Sequence, residues 1–187
     1  GCMILTLKLG GTVETAIVAL LHDIIHLPFS HTIDYLLGTE SESYHENHKY
    51  ELLKKYEDEF ETILGKEWKM YFKEENYPVV KMNNPFAIDI CDYTVRDLYW
   101  LGLIDDKIIQ KLLLFTAIQD NKLVCLTKKS KKMWIKLSKI INDNVYTSAW
   151  NTADNYYFSE SIKKLMKNNE ILKDDIINYN KNTEKNI

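Results

Sequence analysis

The sequence predicts an all-α fold, and three observations carry that reading. Apolar residues recur at helical spacing along most of the chain: 16–21 reads as a buried helix, 50–56 as an amphipathic one, and 127–142 as a longer one with Met133, Trp134, Leu137, Ile140 and Ile141 inward. Helix starts and stops fall between these segments, with Gly10-Gly11 ending the first and Thr12 and Glu14 opening the second. Only one run, 122–126, has the pattern of a short strand or extended link. At 187 residues, 45% hydrophobic and 27% charged, the chain is long enough for one domain with a real core.

Taken in order, residues 1–9 read as the tail of a helix already under way. Thr12 then caps a helix leading to His22, and its apolar run 16–21 delivers the last turn into the core. Pro28 fixes the chain direction, and Ser30 suits the N-cap of a following helix that carries His31 and Asp34 at i, i+3. A polar loop, 39–43, precedes His45, Glu46 and His48, the last read as a helix-surface residue. The segment 60–64 adds another turn or two of helix, and Trp68, Tyr71 and Phe72 read as core aromatics. Asn83-Asn84-Pro85 is a turn that places Pro85 in the first turn of the next helix. On that helix Asp89, Tyr93, Arg96, Asp97 and Trp100 share one face. Asp105 or Asp106 caps a buried helix over 108–118, Thr127 starts the long one, and a last helix runs from Ser159 toward Ile171. The Asn- and Lys-rich stretch 176–187 reads as a frayed tail.

Several function classes are excluded on composition. A net charge of -3 with a single arginine, Arg96, leaves no electrostatic footprint for nucleic acid or an anionic membrane. No apolar run approaches the ~20 residues of a membrane span, and no signal peptide is visible. Three widely spaced cysteines, Cys2, Cys91 and Cys125, argue against a disulfide framework and for a reducing, cytoplasmic setting.

What remains is a site. All five histidines, His22, His26, His31, His45 and His48, fall in one window with acids interleaved. Imidazole is the commonest transition-metal ligand and the side chain best suited to proton transfer near neutral pH. Adjacent His22 and Asp23 at a helix end can reach one ion, and His26 follows one turn later. Asp89, flanked by Phe86, Ala87, Ile88 and Ile90, would be costly to bury without a cation. Arg96 can pair with Asp92 at i, i+4 or serve the site.

The stretch His22-Asp23-Ile24-Ile25-His26-Leu27-Pro28-Phe29-Ser30-His31-Thr32-Ile33-Asp34 resembles the second motif of the HD-domain metal-dependent phosphohydrolases, nearest the deoxynucleoside triphosphate triphosphohydrolase (dGTPase-like) branch. Asp89-Ile90-Cys91-Asp92-Tyr93-Thr94-Val95-Arg96-Asp97 resembles that branch's helix carrying the last metal ligand. The resemblance implies a single helical HD-type domain over 1–187, with a metal-site core in 1–120 that lacks its upstream helix and C-terminal helices in 127–175. It implies His22, Asp23 and Asp89 as metal ligands, joined by a histidine upstream of Gly1. It gives His31 and His45, supported by Asp34, the acid-base work, and puts His26 on a phosphate oxygen. It places Tyr93 and Asp97 on a deoxyribose, with Arg96 a further substrate-side candidate.

The implied cofactor is one divalent transition metal (Mn, Fe, Zn, Ni or Co), with Mg a further candidate, because a histidine and carboxylate set suits these ions. The implied partner is a small nucleotide or phosphoester, and family relatives assemble, so a homo-oligomer is in view. Two departures matter. Ile90 replaces the family lysine, and residues 144–150 carry no base where the triphosphohydrolases have an arginine-rich helix followed by a tyrosine. A nucleotide phosphohydrolase therefore ranks above a triphosphohydrolase, and the alternative is a catalytically impaired HD-fold nucleotide-binding or regulatory protein.

Overall fold

Helix α1, Cys2–Lys8, is short and amphipathic, with Cys2, Leu5 and Thr6 buried. In the computed structural model, residues 1–24, 32, 36, 49–80 and 86–170 are described. α1 stops where the sequence predicts. Gly10 takes φ +88, so that its N–H reaches the carbonyl of Leu7 (3.2 Å) and that of Gly11 reaches Thr6 (2.9 Å). This crossed pair satisfies two carbonyls the helix would otherwise leave open, and it needs a residue without a Cβ penalty at the left-handed position. Gly11 is required for a different reason, since a Cβ there would stand 2.5 Å from Thr6 Cγ2.

Helix α2, Val13–Leu21, begins at Thr12, whose hydroxyl accepts the Thr15 N–H at 3.1 Å. It packs against α1, and its Ala16, Val18 and Ala19 are almost wholly buried. The chain divides into two compact units, Gly1–Ile24 with Asp58–Tyr146, and Ile25–Glu57 with Thr147–Ile187.

In the first unit, helix α4 (Glu57–Leu64, after α3, Lys49–Leu53) brings in Phe60. Phe60 stacks on Trp68 at 5.0 Å, and both meet Phe72 edge-on at 5.3 and 5.7 Å. Trp68 and Phe72, on a 3₁₀ turn, are buried, so these are core aromatics as the sequence implies. Helix α5, Ile88–Trp100, buries Ile88, Cys91, Thr94 and Leu98 and packs on α1. Its N-cap is Ala87, which cannot accept a hydrogen bond through its side chain. Pro85 lies outside the described residues.

Helix α6, Asp106–Leu114, is capped by Asp105, whose carboxylate accepts the Ile108 N–H at 2.9 Å. Here the structure corrects the sequence: the predicted helix over 108–118 ends at Leu114, and β1, Thr116–Gln119, pairs antiparallel with β2, Lys122–Cys125. The cause is the two-residue turn between them. Asp120 (φ 49) and Asn121 (φ 56) are both left-handed, the geometry that matches the twist of a tight hairpin, and Asp and Asn tolerate it. The hairpin is held on both sides. Ile118 N–H reaches the Leu9 carbonyl at 2.8 Å, and Trp134 Nε1 donates to Thr116 Oγ1 at 2.9 Å.

Helix α7, Lys128–Ile141, has Thr127 and Ser130 in a reciprocal cap, buries Trp134, Leu137 and Ile141, and packs on α5. It runs into a π-helical turn, Asn142–Tyr146. The fold class is thus all-α, with one two-stranded hairpin, β1 and β2, among the described residues.

In the second unit, α3 covers Lys49–Leu53 and passes into a 3₁₀ turn, Lys54–Tyr56. Helix α8, Ala149–Lys167, starts ten residues before the predicted Ser159, because Ser148 caps it by accepting the Asn151 N–H at 3.3 Å. It stops short of Ile171, where Asn169 turns left-handed at φ 59. Thr32 donates to Asn155 Oδ1 at 2.7 Å.

Candidate metal centre

The centre forms where α1, the end of α2 and the start of α5 meet. His22 is the C-cap residue of α2, its side chain 7% exposed. Its Nδ1 lies 2.9 Å from the Ala19 carbonyl, which can only accept, so Nδ1 carries a proton. The neutral ring then presents a lone pair at Nε2, which is the tautomer a metal-ligating histidine needs.

Nε2 is buried and makes no hydrogen bond. It stands 3.1 Å from Asp23 Oδ2 and 3.5 Å from Asp89 Oδ1. Burial on its own lowers the pKa of His22, but the Asp23 and Asp89 carboxylates outweigh it and raise the imidazole to about 10. Without a metal the ring therefore holds a second proton between two acids, and a divalent cation is the natural replacement for that proton.

The structure adds a residue that the sequence reading missed. Cys2, buried on α1, has its Sγ 4.0 Å from Asp89 Oδ1. The candidate ligand atoms of Cys2, His22 and Asp89 all lie within 4.8 Å of one another. Burial, then the charges of Asp92 and Asp89, push the Cys2 thiol up to about 12. No motif signals it: Cys2 shares only the apolar face of α1 with Leu5 and Leu9, and the sequence separates it from His22 by a helix and from Asp89 by most of the unit.

Asp89 sits in the first turn of α5, where unpaired backbone N–H groups favour an acid, and its side chain is 29% exposed. Further along α5 comes a second group of polar side chains. Tyr93 is partly buried, and burial, then the Asp89 charge, raises its pKa. Its ring meets Tyr146 edge-on at 5.4 Å. Tyr146, delivered by the π-helical turn, donates a very short hydrogen bond to Asp97. Burial, then that carboxylate, moves the Tyr146 phenol upward.

Arg96 reaches Asp92 at 3.3 Å and Asp97 at 3.6 Å, with its side chain 53% exposed. Its i, i+4 pairing with Asp92 is thus present. Tyr146 is not among the residues the sequence assigns to the site; its one signal is an aromatic just after a long amphipathic helix. Trp100, placed on the Asp89 face, is 80% exposed. His26, His31, Asp34 and His45 lie outside the described residues, as does His48.

A divalent cation fits this donor set. A buried imidazole nitrogen that makes no hydrogen bond stands beside two carboxylates and a thiol, an arrangement whose charge and lone pairs a cation would satisfy. Among the described residues no helix is long and apolar enough to cross a membrane.

Comparison with known proteins agrees with the geometry. The family model for the HD domain matches residues 1–94. The chain is 25% identical over 186 residues, 95% of its length, to the uncharacterized protein YdhJ of Bacillus subtilis. It is 36% identical over 116 residues, 60% of its length, to the metal-dependent phosphohydrolase cns2 of Cordyceps militaris. The chain spans 55% of the first of these relatives and 33% of the second. No solved structure matches it significantly. With the matched segment running from α1 through the start of α5, and so containing Cys2, His22, Asp23 and Asp89, the chain belongs to the HD-domain family.

Proposed function

We propose that this chain carries the active site of a metal-dependent phosphohydrolase acting on a nucleotide or similar phosphoester. The observation that carries the reading is His22: buried, its Nδ1 tied to the Ala19 carbonyl, its Nε2 unbonded and facing Asp23 and Asp89. The family match and the printed name of the Cordyceps relative support it. His22, Asp23 and Asp89 are the residues that would hold the ion. Bound there, a divalent metal supplies Lewis acidity, making water a usable nucleophile near neutral pH and polarising a phosphoester bond.

The protein's own residues do the rest. Ala19 orients the imidazole through its carbonyl, and the acids at Asp23 and Asp89 offset the charge of the cation. Tyr93 and Asp97 are proposed to receive the sugar, with Tyr146 and Arg96 holding Asp97 in position from two sides. Proton delivery to the leaving oxygen is assigned to His31 and His45 with Asp34, and His26 to a phosphate oxygen, on the resemblance of their sequence. Within the family, kinship to the deoxynucleoside triphosphate triphosphohydrolases is proposed for the HD motif and the α5 motif. Ile90 and the base-free stretch 144–150 favour substrates with fewer phosphates.

The test is elemental analysis of the purified protein, followed by a phosphate-release screen over nucleoside mono-, di- and triphosphates and simple phosphoesters. One transition metal per chain, lost in His22→Ala and Asp89→Ala together with turnover, is the expected result. Metal without turnover on any phosphoester would leave the non-catalytic nucleotide-binding reading in its place.

A further inference from the structure

We propose that the lysine face of α7 docks on the acidic face of α4 in a second copy of this chain, so that the protein self-associates head to tail. The inference stands apart from the metal centre, since neither helix carries a candidate ligand.

Charge is segregated along the sequence. Between Asp120 and Asp143 there are seven lysines and no acid, in a chain whose net charge is -3. Helix α7 holds six of these lysines, and all six are exposed. Among the described residues only Lys139 finds an acid, Asp143 at 2.7 Å, at the far end of the helix. A solvated helix commonly mixes signs, with Glu and Lys at i, i+4 offsetting one another. The first three turns of α7 have no such relief. With no acid in its first turn, the positive pole of the helix adds to the lysine charges there.

Helix α4 has the opposite pattern. It reads Glu57-Asp58-Glu59-Phe60-Glu61 and contains no base. Asp58, Glu59 and Glu61 are exposed, and none of the three has an ion pair among the described residues.

Each face also presents an isoleucine. Ile135 is 60% exposed, with Lys131, Lys132 and Lys139 at i-4, i-3 and i+4. Ile63 is 77% exposed, with Glu59 at i-4 and Asp58 beside it. An apolar centre within a charged rim is how protein interfaces are built: the charges select the partner and the centre excludes water. A second copy brings the complementary sign to both faces at once. A polyanion would have to approach a chain that is strongly acidic outside this segment, and would leave the α4 face uncovered. Because the two faces differ, the contact is heterologous: α7 of one copy meets α4 of the next, and the copies close into a ring or extend.

Sedimentation velocity of the full chain from about 5 to about 200 μM, at about 0.05 M and about 0.5 M salt, tests the contact. The expected result is a mass above monomer that grows with concentration, with an association constant at least about tenfold lower at the higher salt. Lys131→Glu with Lys132→Glu, and Glu59→Lys with Glu61→Lys, should each leave a monomer whose circular dichroism is unchanged. Mixing the two variants should restore assembly, because the reversed faces are again opposite in sign, whereas a variant that had merely unfolded would not be rescued.

Unmodified protein that stays monomeric across this range would overturn the proposal, and lysine-dependent retention on heparin in that case would give the α7 face to a polyanion instead. Assembly that survives either charge reversal, or reversed variants that stay monomeric when mixed, would overturn it as well.

Discussion

Metal binding at this centre should displace a proton from His22, and the size of that competition can be worked from the structure. The Asp23 and Asp89 carboxylates raise the imidazole to about 10 against burial, so at pH 7 the metal-free ring is protonated. A cation that takes Nε2 must first remove that proton, three pH units below its pKa. At about 1.4 kcal/mol per unit this is about 4 kcal/mol of affinity withheld at pH 7, or roughly a thousandfold in Kd. The figure is a ceiling, because the Asp23 side chain is 50% exposed and water screens its share.

The dependence on pH follows with its sign. Affinity climbs about tenfold per pH unit from neutrality until the pH reaches the folded pKa, and then levels. The assay is calorimetric titration of Cys2→Ser with zinc at pH 6.5–8.5, in buffers of different ionisation enthalpy. That variant removes the thiol proton from the count, leaving one proton released per zinc from His22. Zinc binding with no proton release and a flat Kd across that range would refute the assignment of Nε2 as the ligand atom. It would place the metal on the carboxylates alone.

Three further outcomes are expected. The metal-free protein should lose stability as pH rises from about 6.5 toward about 10. A raised His22 pKa stabilises fully below the unfolded value and loses that contribution through the folded one, and the effect should be absent in the difference between wild type and His22→Gln above pH 10, read by thermal melts. Thr116→Val should cost about 1–3 kcal/mol in denaturant unfolding, because it leaves the buried Trp134 Nε1 without the acceptor it now has at 2.9 Å; the same substitution at exposed Thr62 should cost less than half as much. Gly102→Ala should cost about 1 kcal/mol although no neighbour lies within 4 Å of the added Cβ, since φ +68 is a left-handed stop that alanine resists. A Gly102→Asn melt falling between the two would identify the backbone as the cause.

Much of the helical plan was legible from local signals. Thr12 and Thr127 each cap the helix that the sequence assigns to them, Asp105 is the cap of the two acids it offers, and the Gly10-Gly11 stop falls where expected. A cap and its first turn are separated by three residues, so the interaction that decides them is written within a few positions of itself. The hairpin was less legible. Residues 108–118 are continuously apolar enough to read as helix, and the turn that breaks them is Asp120-Asn121 rather than the stronger Asp-Gly or Asn-Gly signal. The N-terminal half of α8 was missed for a similar reason. Its polar Asn151, Asp154 and Asn155 hide the helical period that Ser148 starts.

By itself, the sequence determined the fold class through residue type and short spacing, and two motifs carried the resemblance to the HD family, which is what joins His22-Asp23 with a distant Asp89. Tertiary structure alone decided three things. It set the His22 tautomer through a carbonyl one turn back, brought Cys2 beside Asp89 across 87 positions of chain, and turned Tyr146 onto Asp97 across 49. The physical reason is the same in each. Such contacts arise from how α1, α5 and α7 pack, and packing is a property of whole apolar faces that no spacing of single residues records.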